Sequence, residues 1–316
     1  MAAAELGAGL RYGGLGFALA FVALPLYVSL PAHYAEQYGV PLAWLGALLL
    51  LARLLDALVD PWIGRLCDRW LNAGAAPMLG LMSAAAVLLA GGFVGLFFPW
   101  PRAMPALLAW CGGFLLLTYL GYSLLSVAHQ AWGARLGGDG LQQTRLVAWR
   151  EGFALAGVIA ASLLPSLLGL AATAVALALG LLIGLALLSR APQAPARAPS
   201  ATGAAVSVWG TPGFVRLLSV FLLNGIAAAI PATLLLFFVR DRLQTPQAEG
   251  LYLAVYFIAA ALSLPLWLRV VARLGQARAW GLAMLLAVLA FGWAALLGAG
   301  DQLGFALVCA ASGVAL

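Results

Sequence analysis

Lysine is absent from this chain: all sixteen basic residues are arginine, and they are scattered rather than clustered. Nucleic-acid binding needs a basic patch that tracks phosphates, so the pI of about 9.7 does not point to such a partner. Charged residues of both signs make up only 8% of the chain, against roughly 25% in a soluble domain. Histidine occurs twice and cysteine three times, too few for a clustered zinc site. Cys67, Cys111 and Cys309 are odd in number and lie in or beside apolar runs, which excludes a disulfide framework; we read all three as packing residues. No His-Glu-x-x-His, Gly-x-Ser-x-Gly or Cys-x-x-Cys pattern is present, so neither an enzyme nor a metal or organic cofactor is expected.

What the chain has instead is apolar length. Hydrophobic residues make up 65% of it and the mean hydropathy is +1.05. Runs of about 20 mainly apolar residues, the length a helix needs to cross a hydrocarbon core, recur throughout. They predict an all-α, polytopic membrane protein with spans near 8–31, 41–66, 76–98, 104–133, 146–168, 170–189, 214–239, 250–273 and 279–299, and a tenth from near 302. The last run is too short to cross, so the chain is expected to stop within that span. The stretch "LRYGGLGFALAFVALPLYVSL" is too long for a signal h-region and lacks a small-residue cleavage site, which predicts a retained first span.

With the N-terminus placed in the cytoplasm, Arg102, Arg240 and Arg242 fall outside, Arg53 is intramembrane, and the other twelve arginines fall inside. This positive-inside bias would be scrambled by one miscounted span. "SRAPQAPARAPSATGAAVSVWGTPG" is Pro- and Ala-rich with no hydrophobic period and predicts a flexible cytoplasmic linker. The expected organisation is a six-helix half at 1–189, a linker at 190–213, and an incomplete second half at 214–316. Pro61, Arg65 and Arg69 also recur as Pro265, Arg269 and Arg273 at a common offset of 204 positions, an internal echo that suits two related halves.

The second span breaks the apolar rule. In "ARLLDALVDPWIGRLCDR", Arg53, Asp56 and Asp60 fall at i, i+3 and i+7, on one helical face. Each such residue near a helix centre costs roughly 2.5 to 3.5 kcal/mol to insert, so the stripe must face the bundle interior or water. Two carboxylates one turn apart offer hard oxygen ligands to a cation, or can share a proton; a structural Arg53–Asp56 bridge is the other reading. At the echo positions stand Phe257, Ala260 and Leu264, so the charged cluster belongs to the first half alone. In the fourth span, Tyr119, Tyr122, Ser126 and His129 share a face, with Ser123 and Gln130 nearby. Arg150 and Glu151 enter the fifth span, and Asn224 and Pro231 lie in the seventh.

The Asp-Ala-x-x-Asp-Pro core and its following loop resemble the second span of the glycoside-pentoside-hexuronide cation symporters, a branch of the major facilitator superfamily. Gly64, Asp68 and Arg69 also fit that superfamily's Gly-x-x-x-Asp-Arg loop, whose charges latch the cytoplasmic ends of helices. The resemblance implies a major facilitator fold of two six-helix halves, here cut within the tenth of twelve spans. It implies that Asp56, Asp60 and Ser123 bind the coupling cation, and that Gly64, Asp68 and Arg69 form a cytoplasmic gate. It places Arg150 near a substrate cavity, which we extend to Arg53, Tyr119, Tyr122, Ser126, His129, Gln130 and Asn224. The sequence departs from the branch at Val59, where an Asn is usual, and at Ala20, Ser126 and Gln130, where acidic residues and a Trp hold the sugar.

The expectation is therefore a monomeric, multi-pass protein of a bacterial inner membrane. It would carry a small solute, such as a sugar or glycoside, by proton- or sodium-coupled symport through alternating access. A lipid or amphiphile carrier of the same fold and a non-transporting membrane scaffold are the alternatives.

Overall fold

The computed structural model describes residues 2–136, 140–191 and 210–315. The chain divides into two compact units, Met1–Arg197 and Ala198–Leu316. Most of the segment expected to be a linker, 192–209, lies outside the described residues.

The first unit opens on α1 (Ala2–Gly13) and α2 (Leu15–Leu24), continued by a π turn at Pro25–Ser29 and by α3 (Leu30–Tyr38). The π turn begins at Pro25, which lacks an N–H and cannot continue the regular ladder. There follow α4 (Leu42–Ala73), α5 (Ala75–Phe97) and α6 (Met104–Arg135). The helical stretch Gly140–Ser189 breaks at Gly169, whose φ of 79° and ψ of 173° are open to glycine and strained for other residues. We number its parts α7 (140–168) and α8 (170–189). Gly74, at φ 123°, makes the one-residue turn from α4 into α5.

The core of this unit is made by apolar side chains on every helix, among them Phe21, Met78, Met82, Phe93, Phe97 and Trp132. Small residues set the closest approaches. A Cβ at Gly121 of α6 would stand 2.6 Å from the Leu89 nitrogen and 2.8 Å from the Ala85 oxygen of α5. One at Gly16 of α2 would stand 2.6 Å from the Arg150 oxygen of α7, so the first span is seated on the start of the fifth.

The second unit begins with α9 (Pro212–Phe237) and a π turn at Phe238–Arg242. It continues as α10 (Glu249–Leu274), α11 (Gln276–Ala294) and α12 (Gln302–Ala315). Its order echoes the first: an opening helix ending in a π turn, a long helix interrupted by Pro265 as α4 is by Pro61, and a glycine turn, Gly275 at φ 82°, into the next helix. Its core is smaller, built from Val239, Leu243, Tyr252, Phe305, Val308 and Cys309, and the Trp267 indole donates to the Val314 carbonyl at 2.6 Å.

Among the described residues, eight helices are long and apolar enough to cross a membrane, and α12 and the Pro212–Ala228 part of α9 are shorter apolar helices. Large apolar side chains such as Leu50, Leu54, Leu58, Val87 and Val288 stand exposed, as lipid-facing residues must. The three cysteines are free and buried.

Candidate ion and solute site

α4 holds its three charges one above another because i, i+3 and i+7 share a helical face. The Arg53 Nη1 lies 3.4 Å from Asp56 Oδ2; the Asp56 side chain is only 10% exposed, whereas that of Arg53 is half exposed. One turn on, the hydroxyl of Ser123, buried on α6, donates to Asp60 Oδ1. Asp60, Arg53 and Ser123 lie near Asp56, as do the phenols of Tyr27 and Tyr122. Pro61 follows directly and has no N–H to give the Ala57 carbonyl, so the regular hydrogen-bond ladder lapses beside the carboxylates. Two carboxylates and a guanidinium on one face of α4 thus meet a hydroxyl from α6. Among the described residues, no group of three or more His, Cys, Asp or Glu side chains could hold a metal ion.

Aromatic rings close the other side of Arg53. Its Cζ stands 5.2 Å from the ring centre of Tyr27 and 5.4 Å from that of Tyr119, within cation–π range. The Tyr119 hydroxyl is buried and has no hydrogen-bond partner among the described residues. Tyr122 has Tyr27, Arg53, Asp56 and Arg150 as its charged and phenolic neighbours.

A second polar group joins the first span to α6 and α7. His129 is fully buried, its Nε2 is 2.8 Å from the Tyr12 carbonyl, and the Tyr12 hydroxyl donates to the His129 carbonyl at 3.3 Å. Because a carbonyl only accepts, Nε2 carries the proton, which leaves Nδ1 as a buried acceptor without a partner among the described residues. Arg150 donates to Glu151 Oε1 through Nε at 3.1 Å and Nη2 at 2.6 Å, and it also has Tyr12 as a neighbour. Gln130 donates to Ser126 at 3.2 Å on the exposed side of α6. Asn224 lies part-buried on α9 in the second unit.

At the far end of α4, Asp68 takes Arg135 as its partner: Nη2 lies 3.2 Å from Asp68 Oδ1, while Nη1 donates to Asn72 at 2.7 Å. Arg69 is exposed, and a Cβ at Gly64 would meet nothing within 4 Å. The structure thus brings Arg53, Asp56, Asp60 and Ser123 together with Tyr119 and Tyr122, and puts His129 and Arg150 in a neighbouring cluster. Tyr27, Tyr12 and Arg135 were not singled out by the sequence. The one signal for Tyr27 was a hydroxyl two residues after a mid-span proline.

The pattern of MFS/sugar transport proteins matches residues 9–316. No curated protein matches the sequence at a significant level. Among solved structures, the fold is similar to that of the MFS proton:xylose symporter XylE bound to 6-bromo-6-deoxy-D-glucose, with a TM-score of 0.58 and 14% identity over 99% of this chain and 78% of that one. At that identity the likeness speaks for the helical major facilitator fold alone. The family match extends over nearly the whole chain, and the chain belongs to the MFS/sugar transport protein family.

Proposed function

We propose that this protein is a cation-coupled symporter of a small solute, a sugar or glycoside, of the glycoside-pentoside-hexuronide kind, and that it works by alternating access in a bacterial inner membrane with its N-terminus in the cytoplasm. The observation that carries the reading is the meeting of Asp56 and Asp60 of α4 with Ser123 of α6. Two carboxylates held a turn apart repel each other, and a small cation, sodium or a proton, relieves that repulsion. A cation bound there favours whichever conformation binds it better, and linkage passes that preference to the solute. Membership of a sugar-transport family supports the solute class, as does a coupled sugar carrier among the structures of similar fold. Arg53, Tyr27 and Tyr119 add aromatic faces and an unpartnered hydroxyl beside the carboxylates, chemistry suited to the apolar face and hydroxyls of a sugar.

The test is uptake into vesicles reconstituted with the protein, with labelled sugars and an imposed sodium or proton gradient. Wild type should accumulate solute against its gradient, whereas Asp60→Asn should at most equilibrate it. Equal accumulation by Asp60→Asn with both gradients collapsed would sink the coupling.

A further inference from the structure

Within the first unit the helices pack as two groups. The first span is seated on α7 and α8, where a Cβ at Gly184 would stand 2.8 Å from the Leu15 Cα; α6 is seated on α5 at Gly121 and packs against α4. The first span and α6 meet at few positions, and one pair spans that seam in both directions. His129 Nε2 donates to the Tyr12 carbonyl at 2.8 Å, the Tyr12 hydroxyl donates to the His129 carbonyl at 3.3 Å, and the two ring centres lie 4.4 Å apart. The other histidine ties the same seam at its far end: His33 Nε2 on α3 lies 3.1 Å from the Phe97 carbonyl of α5. The first-span residues of these two ties, Tyr12 and His33, are about 30 Å apart at the rise of a helix, so the chain's two histidines close the two ends of one seam.

His129 is the buried member, enclosed by the first unit alone. With Nε2–H given to Tyr12, its Nδ1 is an acceptor closed to solvent and without a partner among the described residues. A solute hydroxyl cannot reach it there. The seat suits the neutral ring, because a proton on Nδ1 would be a buried charged donor with nothing to give to, beside the Arg150 guanidinium. The charged groups on the surrounding helices are already engaged. Arg150 and Glu151 of α7 bond each other, Asp60 of α4 takes Ser123 and Asp68 takes Arg135, while α5 and α8 carry no titratable side chain.

We propose that His129 is a proton-binding site of this seam: the neutral ring clasps the first span to α6, and a ring that has taken a proton on Nδ1 leaves the seat, so that the two helix groups part as the proton binds. The Nδ1 lone pair takes the proton from water and imidazole becomes imidazolium, with no other covalent change. Because the clasped form binds fewer protons than the parted one, acid favours parting. The site is separate from the proposed ion site on α4 and α6, and both carboxylates there are left in place by the test.

The experiment uses the full 316-residue chain carrying His33→Gln, which leaves His129 as its only imidazole, with the histidine nitrogens isotope-labelled, in sodium-free neutral detergent. At about pH 7.5 the nitrogen spectrum should show a neutral ring with its proton on Nε2. Between about pH 6.5 and pH 5 the ring should become imidazolium. Over the same range, backbone amide exchange of residues 9–16 and 126–133, corrected for its intrinsic pH dependence, should rise by about tenfold or more, since one linked proton changes the parted fraction by up to about tenfold per pH unit. Exchange at 104–115, at the other end of α6, should stay level. Adding His129→Gln keeps a donor for the Tyr12 carbonyl but cannot titrate, so exchange at 9–16 and 126–133 should no longer respond, and any effect of Asp56 and Asp60 cancels in the difference. If that variant does not fold, the ring signal and the exchange of the labelled chain decide together. Imidazolium formed without a rise in exchange, a rise while the ring stays neutral, a ring neutral throughout, or an equal rise with His129→Gln would each overturn the proposal.

Discussion

Ser123 on α6 donates a hydrogen bond from its hydroxyl to the Asp60 carboxylate on α4, across 63 residues of sequence. The contact ties the charged stripe of one span to the polar face of another. It also sets a neutral oxygen beside two carboxylates, an arrangement that serves a cation better than either helix could alone.

Ser123→Ala should therefore weaken sodium binding and leave the fold intact, because it removes one small hydroxyl from a buried position. A ligand contact to a charged group contributes about 1.5 to 3 kcal/mol, so the sodium concentration for half-maximal thermal stabilisation should rise about tenfold or more. An unchanged midpoint would remove Ser123 from the ligand set.

Arg53 has the opposite part. Its guanidinium, 3.4 Å from Asp56, supplies a tethered positive charge that competes with a free cation for the same oxygens. Arg53→Gln should destabilise the ion-free protein, leave the ion-bound form nearly as stable as in wild type, and so enlarge the thermal shift produced by saturating cation. A smaller shift in the variant would mean that Arg53 organises the site instead of competing for it.

The helical periods were legible because lipid leaves them little freedom: an apolar run of span length has to be a helix. Even the break between α7 and α8 stood in the sequence, since Gly169 separates two such runs and takes a backbone conformation strained for other residues. Asp56 and Asp60 were legible because charge is so costly at that depth, and their shared face follows from spacing alone. The partners were less so. Tyr27 and Tyr119 meet at Arg53 from different helices, and no periodicity within one helix records which residue lies opposite it. Arg135 is the same case: the loop pattern drew attention to Arg69, next to Asp68 in sequence, while the fold delivers Arg135 from 67 residues away. His129 shares a face with Tyr119 and Ser126, yet the bonds it makes go to Tyr12, because the close seating of the first span on α7 brings that backbone carbonyl within reach.

The contact between α5 and α6 can be tested by adding a single carbon. A methyl at Gly121 meets backbone atoms of Leu89 and Ala85 at 2.6 and 2.8 Å, and backbone cannot rotate aside. Gly121→Ala should cost about 1 to 3 kcal/mol through overpacking, seen as a lower thermal midpoint. On the same helix a Cβ at Gly113 meets nothing within 4 Å, so Gly113→Ala should be neutral or stabilising through helix propensity. Equal effects at the two sites would mean that α5 and α6 are not held at this distance.

His33, in α3 beyond the first span, gives a pH dependence of known sign. Its Nε2 lies 3.1 Å from the Phe97 carbonyl, and its ring packs against Tyr34, Tyr38 and Phe97 at 5.9, 5.6 and 5.6 Å. Burial among these rings lowers its pKa from the usual 6.5, and the Phe97 carbonyl, which favours the charged ring, only partly offsets that. With a folded pKa below the unfolded one, the stabilisation is fully present above about pH 6.5 and is lost as the pH falls through the folded value. His33→Gln keeps a donor for Phe97 but cannot titrate, so subtracting it cancels the carboxylates common to both proteins. The thermal midpoint of wild type minus that of His33→Gln should fall steadily on acidification from about pH 7.5 to pH 5, the range across which a depressed histidine takes up its proton. A difference that stays level over that range would show that the ring keeps an ordinary pKa and that the aromatic cluster is wetter than its packing implies.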